Sequence, residues 1–482
     1  MRQGLAALAV LAFCIAGCQK TTPPAQNVIV ILLDALRADR LSAYGNPRST
    51  SPNIDALAAA GTRFETALTT APWTLPAMGS LWTSQYPSVH GAVRRSDEAQ
   101  WVSDRARFRP VHALADAHAT LPEVLRDAGG FATAAFVDGA YPGAVFGFGQ
   151  GFEVFSEDEH YGVRLNAEAL LAWVDAQRPR RFLAYLHIVE THSPYTPPGP
   201  PLEYQGRTDA AAQRAQVVLE EERARMRAID FDPGYAGLLT GSLESMRALR
   251  GGAATPADVA HLKALYDRGI AYSDHWIGWL LGELARRGLA EDTAVIVTAD
   301  HGEELLERGG TEHGDSLFEE IMRIPLVVRV PRLGGGRVAP EPVSLIDIMP
   351  TVLELTGVPT SAPMQGISLV PALRGEPLPR RTLYAEADFS GQLVAMRDGA
   401  HKFIARGGRG AAFDLRQDPG ETRNLCAADA ASCDRDVAAV TAWRAAMAEQ
   451  RRRLAAAAPP TAVLDERAQE RLRALGYEEK EN

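Results

Sequence analysis

Cysteine is nearly absent from this chain of 482 residues: there are four, at positions 14, 18, 426 and 433. None falls between residues 19 and 425, so the body of the chain has no thiol nucleophile, thiolate metal cluster or disulfide framework. An excess of positive charge is lacking too. The formal net charge of −10 leaves no basic footprint for nucleic acid. It also gives no long-range attraction for anionic polymers, so an anionic substrate has to be captured locally. Long apolar runs are scarce: the stretch 5–15 is too short to span a bilayer, and no other segment approaches that length. Internal repeats are missing as well. What is present is core-forming material, 46% hydrophobic, in a length that accommodates one large domain and a smaller one.

The two ends of the chain carry a location signal. Arg2, the apolar stretch 5–15 and Ile15-Ala16-Gly17-Cys18 have the order of a bacterial lipoprotein signal. Cleavage before Cys18 would leave that residue as the lipidated N-terminus; a plain secretory signal is the alternative. Residues 18–26, with Pro23 and Pro24, then read as a tether. Gln19 directly after the cysteine favours the outer membrane. The expectation is an exported lipoprotein on the periplasmic side of the outer membrane or at the cell surface, attached through its lipid alone. Such a compartment permits oxidation, and Cys426 and Cys433 are expected to form a local disulfide.

Strand and helix signals alternate between the ends. Buried strands are expected at 28–33, 131–137, 182–187 and 293–299, and a helix opened by Ser51-Pro52 closes at Gly61. Thr255-Pro256-Ala257-Asp258 opens a long helix ending near Gly288. Its stripe of Val259, Leu262, Tyr266, Ile270, Ile277, Leu281 and Leu284 is core. This alternation predicts an α/β fold, a mostly parallel sheet covered on both faces. The segment 206–229, rich in Ala, Arg and Glu, reads as an inserted solvated helix that walls or covers a site. Shorter strands follow at 382–386 and 393–397, and a helical tail is broken at Pro459-Pro460. The organisation is a leader 1–17, the tether 18–26, a catalytic α/β domain 27–343, a C-terminal subdomain 344–436 and the tail 437–482.

Carboxylates stand where two of these strands end. Asp34 closes the run 28–33, and Asp300-His301-Gly302-Glu303 closes the run 293–299. Two strands finishing this way bring hard oxygen ligands and an imidazole to one edge of a parallel sheet, where α/β enzymes place their chemistry. A plainer alternative has Asp300 and His301 capping a helix that begins at Gly302. Between the strands, Ala71-Pro72-Trp73-Thr74-Leu75-Pro76 reads as a turn entering a helix with Thr74 as N-cap. A hydroxyl there faces free N–H groups and the positive end of the helix dipole.

Taken in order, these segments resemble the sulfatase branch of the alkaline phosphatase superfamily. The resemblance is carried by the stretch from Asn27 through Asp34 to Leu41, the Thr74 segment running on to Tyr86-Pro87-Ser88-Val89-His90-Gly91, and His187 with Glu190-Thr191-His192-Ser193-Pro194-Tyr195. It continues in Asp300-His301-Gly302-Glu303-Glu304, Glu312-His313-Gly314 and the stretch from Phe413-Asp414-Leu415 to Asn424-Leu425. It implies a sulfatase-like fold, with a mostly parallel central sheet sandwiched by helices and a smaller C-terminal antiparallel sheet. It implies further that Asp34, Thr74, Asp300 and His301 ligate one divalent metal. Mn²⁺ or Zn²⁺ suits that donor set better than Ca²⁺, which stays open, as does a second metal reached through His313. His192 and His313 are the candidates for contacting the transferred group and protonating the leaving oxygen. His187 is a further candidate to line the pocket, and Glu303 and Arg37 to orient ligands.

The departures from the family pattern point to the substrate. Sulfatases take their nucleophile from Cys/Ser-x-Pro-x-Arg, oxidised to formylglycine, whereas this chain reads Thr74-Leu75-Pro76-Ala77-Met78. Threonine cannot give that aldehyde. A threonine sulfate would need water to attack a hindered sulfur, while phosphothreonine is more readily resolved. Superfamily members that use threonine, such as nucleotide pyrophosphatases and phosphoethanolamine or glycerophosphate transferases, proceed through that intermediate. The family's usual second ligand directly after the first is here Ala35. The resemblance therefore implies a hydrolase of anionic esters, phosphate before sulfate, including glycan- or lipid-linked ones. Sulfate ester hydrolysis without formylglycine, phosphoryl transfer to an acceptor alcohol and a non-catalytic metal- or glycan-binding role are the alternatives.

Overall fold

A computed structural model describes residues 25–94, 111–139, 141–157, 162–177, 180–195, 203–204, 207–208, 256–331, 333–388, 393–454 and 460–475. The leader, Cys18 and most of the tether lie outside the described residues. So does the 206–229 insertion, apart from the short strand Arg207–Thr208, which pairs with Glu203–Tyr204.

Eight strands form the central sheet: β1 Asn27–Leu33, β2 Thr62–Phe64, β3 Ala132–Phe136, β4 Val154–Ser156, β5 Phe182–Ile188, β6 Thr293–Thr298, β7 Leu326–Arg329 and β8 Arg337–Ala339. Their order across the sheet is β8-β2-β7-β6-β1-β5-β3-β4. Every pairing is parallel except the two made by β7. The sequence Asn-Val-Ile-Val-Ile-Leu-Leu of β1 is buried throughout; a strand covered on both faces needs a continuous apolar run rather than alternation. β1 sits between β6 and β5 in register, with Leu32 opposite both Thr298 and His187. The residues that follow these three strands therefore emerge side by side at one edge.

Helices cover this sheet. Ser51 and Gly61 flank helix α1 Pro52–Ala60 at its two ends, as the proline and glycine signals require. Helix α2 is Thr74–Thr83 and α3 is Leu121–Asp127, opened by a capping box between Thr120 and Glu123. Helix α4, Val163–Gln177, packs on β3 and β5, and the long α5, Pro256–Arg286, packs on α1 and α4. Helix α6, Ile348–Thr356, adds Ile348, Met349 and Val352 to the same core. No helix among the described residues is long and apolar enough to cross a membrane.

The C-terminal layer is an antiparallel meander of β9 Leu383–Ala387, β10 Leu393–Asp398, β11 His401–Arg406 and β12 Arg409–Asp414. One group of its residues packs on Leu68, Leu317 and Met322. Another packs on Cys433 and Val440 of helix α7, Ala430–Arg453. That helix begins before the expected tail because Asp429 caps it, accepting from the Ser432 N–H. Cys426 and Cys433 are joined by a disulfide, with Cα atoms 5.6 Å apart. Lys402, fully buried in β11, pins the layer to the main domain: its Nζ lies 2.7 Å from Glu421 and 3.0 Å from Glu319. Removing one partner strands the others, so Lys402→Met is expected to cost about 3–5 kcal/mol. Urea unfolding reads this directly, and a loss under about 1 kcal/mol would show the pair to be dispensable.

Candidate active site

Asp34 leaves β1 with its N–H bonded to the Ile188 carbonyl at the end of β5. Ala35 then turns the chain with φ +59°, a left-handed conformation that costs an alanine about 1–2 kcal/mol. Two contacts hold it there. The Ala35 N–H donates to Asp300 Oδ1 at 3.1 Å, and its carbonyl accepts from the Tyr266 hydroxyl at 2.6 Å. Tyr266 in turn accepts from the Arg37 N–H at 2.8 Å. Tyr266 thus occupies the core stripe of α5, as its spacing predicts, while its hydroxyl braces the turn after β1; helical periodicity carries no signal for that second role.

No helix begins at Gly302. Residues 299–303 form no helix and lead into a hairpin of Glu304–Leu305 and Thr311–Glu312. A Cβ on Gly302 would lie 2.1 Å from the Glu320 carbonyl oxygen, so this close approach admits glycine alone. The capping alternative for Asp300 and His301 is thereby removed. Asp300 Oδ1 accepts from the N–H groups of Ala35 and His301. The Nδ1 of His301 lies 2.9 Å from the Gly302 carbonyl and can only donate there, which leaves the Nε2 lone pair of the neutral ring facing inward. That nitrogen is 3.5 Å from Asp34 Oδ1, 3.3 Å from Asp300 Oδ2 and 3.3 Å from Thr74 Oγ1.

The group suits a divalent cation. Asp34, Asp300 and His301 are buried, and each offers one ligand atom within 4.8 Å of the others. Asp34 Oδ1 and Asp300 Oδ2 are buried oxygens without hydrogen bonds. Burial first, and the charge of Asp300 second, push the Asp34 carboxyl well above the usual carboxylate range. Burial works against the His301 cation, but Asp300 and Asp34 overcome it and raise the ring to about 9. Two carboxylates crowded on one imidazole in a dry site is an arrangement that added positive charge relieves.

Thr74 is the first residue of α2 rather than its N-cap; Trp73 holds that place in an extended conformation and makes no side-chain cap. The first-turn N–H groups of α2 are therefore left without a capping side chain, and the Thr74 hydroxyl is directed to His301. His90 supports the helix from beneath. Its Nε2 is 3.1 Å from the Pro76 carbonyl and 3.2 Å from Ser80 Oγ, and a Cβ on Gly79 would come 2.5 Å from the ring. Burial depresses His90 to about 3. The unfolded chain takes up this proton first, near pH 6.5, so His90 contributes stability above that pH. The contribution is lost as pH falls toward 3, by up to about 1.4 kcal/mol per unit. His90→Asn is expected to flatten the pH dependence of unfolding between pH 6.5 and 4.

The three other candidate histidines, His187, His192 and His313, gather at the same edge. His187 Nε2 is 3.7 Å from Asp34 Oδ2, and burial lowers the ring to about 4. The rings of His192 and His313 are 4.9 Å apart, and those of His313 and His301 4.1 Å. His313 Nδ1 is 3.0 Å from Glu303 Oε1, whose carboxyl burial raises to about 7. Arg37 reaches the Glu303 carbonyl at 3.0 Å and pairs with Asp39 and Glu307. The fold thus brings together Asp34, Thr74, His187, His192, Asp300, His301 and His313. Tyr195, whose hydroxyl bears on Glu303, joins them from the family-like segment 190–195, where its residue type alone assigns it no role, and Glu307 joins them without a sequence signal.

A sulfatase family profile matches residues 26–358, and a profile of the C-terminal region of N-sulphoglucosamine sulphohydrolase matches residues 313–434. The chain belongs to the sulfatase family. Steryl-sulfatase of Mus musculus is 26% identical over 437 residues, covering 73% of this chain and 66% of that protein. Choline-sulfatase of Rhizobium meliloti is 32% identical over 178 residues, covering 36% of this chain and 34% of its own length. The match thus spans less than two thirds of each of these relatives. Arylsulfatase of Clostridium perfringens is 23% identical, with 83% of this chain and 90% of that protein covered. Among solved structures, the phosphonate monoester hydrolase of Agrobacterium radiobacter superposes with a TM-score of 0.66 at 22% identity, covering 88% of this chain and 96% of that one. A 2-O GAG sulfatase does so with 0.65 at 18%, covering 96% and 98%. This sulfatase-family chain therefore has the sulfatase fold, with a mostly parallel α/β domain and a C-terminal antiparallel sheet.

Proposed function

We propose that this sulfatase-family protein is a metal-dependent hydrolase of anionic esters, phosphate before sulfate, with Thr74 as nucleophile. The observation that carries the reading is the Thr74 hydroxyl at the open end of α2, 3.3 Å from His301 Nε2, beside two carboxylate oxygens without donors. Asp34, Asp300 and His301, joined by the Thr74 hydroxyl, would hold the cation, with Mn²⁺ or Zn²⁺ favoured by the mixed oxygen and nitrogen donors and Ca²⁺ the alternative. When bound, a divalent cation there supplies positive charge where the attacking and ester oxygens gain negative charge.

The residues divide the remaining work. Thr74 loses its proton to solvent and its oxygen bonds to phosphorus as the bond to the leaving alcohol breaks. His192 or His313 delivers a proton to the departing oxygen. The open N–H groups of α2 and its dipole favour the transferred anion. Water then attacks the phosphorus, the bond to Thr74 breaks, and phosphate and the free hydroxyl are regenerated. An acceptor alcohol in place of water would make the same site a transferase. Sulfate esters are the second reading, favoured by the steryl-, choline- and arylsulfatase names of the relatives. Attachment at the periplasmic side of the outer membrane through Cys18 belongs to the same proposal.

Purified protein, chelated and then given Mn²⁺, Zn²⁺ or Ca²⁺, is to be compared on p-nitrophenyl sulfate, p-nitrophenyl phosphate, bis-p-nitrophenyl phosphate and a phosphonate monoester. Metal-dependent cleavage of the phosphorus esters above the sulfate is expected. Cleavage of the sulfate alone overturns the phosphate preference, and inactivity on all four overturns the hydrolase reading.

A further inference from the structure

Beyond His187, a second group of buried oxygens has no part in the proposed reaction. Asp138 follows the end of β3, Glu190 follows the end of β5, and Asn166 lies in the first turn of α4. The Gly162 N–H donates to Asp138 Oδ1 at 3.1 Å, and the next one, of Val163, donates to Glu190 Oε1 at 2.7 Å. The other oxygens, Asp138 Oδ2 and Glu190 Oε2, are buried without hydrogen bonds. Asn166 is 0% exposed and its two amide atoms are also without hydrogen bonds. Its amide nevertheless lies near enough to Asp138 to favour the charged carboxylate.

An isolated buried carboxylate pair is costly, because desolvation and mutual repulsion act together. Burial, followed by the charge of Glu190, pushes Asp138 well above the ordinary carboxylate range, and burial raises Glu190 as well. Two N–H groups satisfy one oxygen of each carboxylate and leave the second free. A free oxygen from each acid and a free carboxamide oxygen make an all-oxygen donor set with no nitrogen or sulfur, the preference of a hard cation that tolerates irregular geometry.

We propose that Asp138, Asn166 and Glu190 bind a calcium ion that ties the carboxyl ends of β3 and β5 to the start of α4. The site is separate from the one at Asp34, Asp300 and His301, and it stands whether or not Thr74 is a nucleophile. It is also mechanically linked to that site. The His187 ring lies against the Asp138 backbone on one side and 3.7 Å from Asp34 on the other. From behind, α5 closes on the Glu190 backbone so tightly that a Cβ on Gly269 would sit 2.1 Å from its carbonyl oxygen.

The test is calcium equilibrium dialysis and calcium-dependent thermal unfolding on the whole chain, as wild type and as the Asp300→Asn, Asp138→Asn, Glu190→Gln and Asn166→Leu variants. Asp300→Asn removes the other centre and is expected to keep one calcium per chain, with unfolding shifted upward by calcium. Asp138→Asn and Glu190→Gln are expected to lose that calcium and the shift. Asn166→Leu keeps both carboxylates and covers the case in which the charge variants do not fold; it is expected to weaken calcium binding at least tenfold. Asp300→Asn without bound calcium, or Asn166→Leu binding it as wild type does, overturns the proposal. The first result, with Asp138→Asn more stable than wild type in chelator, would mean a proton shared by the two acids instead.

Discussion

Thr74→Ala is expected to lower kcat/KM on the best ester by about 10⁴-fold or more, the scale seen when a nucleophile is deleted from an otherwise intact site. Thr74 is 1% exposed, and the substitution removes one methyl and one hydroxyl from the start of α2 without touching the core beneath it, so the fold should survive with a loss of order 1 kcal/mol. The cation's three side chains, Asp34, Asp300 and His301, remain. Loss of activity with retained metal would separate Thr74's chemistry from the integrity of the site. Thr74→Ser restores a hydroxyl at the same atom and is expected to recover activity to within about tenfold. A covalent adduct trapped on Thr74 from a slow substrate, seen by mass spectrometry of the digested protein, would identify the attacking atom. Thr74→Ala retaining more than a tenth of the wild-type rate would transfer the nucleophile's role to water and return the sulfate reading to first place.

The parts of this fold legible in the sequence are those that local chemistry dictates. The run of apolar residues in β1 can only be a strand buried on both faces, and Ser51-Pro52 and Gly61 mark the ends of α1 within a residue of where they fall. Asp34 and Asp300 could be read because each follows such a strand within two residues, and parallel neighbours in register deliver their ends to one edge. Side chains that act through long-range contacts could not be read this way. Tyr266 looks like any core residue of a helical stripe, yet its hydroxyl fixes the strained Ala35. Lys402, in a short C-terminal strand, gives no local hint that it is fully buried between Glu319 and Glu421. Thr74 fell between the two classes: its place at a helix start was readable, but its position relative to the cap was not. Trp73 holds the cap with backbone alone and frees the hydroxyl for His301.

Asp300→Asn is expected to abolish metal binding and activity and to lower the stability of the metal-free protein. Asp300 Oδ1 already accepts from the Ala35 and His301 N–H groups, and an asparagine oxygen can keep both bonds. The amide NH₂ then replaces Oδ2, a buried oxygen 3.3 Å from His301 Nε2. The charge that disappears repels Asp34, but it is also the one that, against the cost of burial, His301 holds well below the usual carboxylate range, and a hydrogen-bond donor takes its place beside that ring. In the absence of metal this removes the partner of the buried His301 cation, a loss that outweighs the relief of Asp34 and should destabilise the fold by about 1–3 kcal/mol. In its presence the same change sets an N–H where a cation needs a lone pair, so affinity should fall at least 100-fold. The two effects have the same sign and one cause. In chelator, thermal unfolding of Asp300→Asn should therefore lie below wild type; with saturating Mn²⁺ or Zn²⁺ the gap should widen, because only the wild type gains the stabilisation of a bound ligand. If both proteins rise equally with Mn²⁺ or Zn²⁺, Asp300 is no ligand, and its buried charge serves only to hold Ala35 in its left-handed turn.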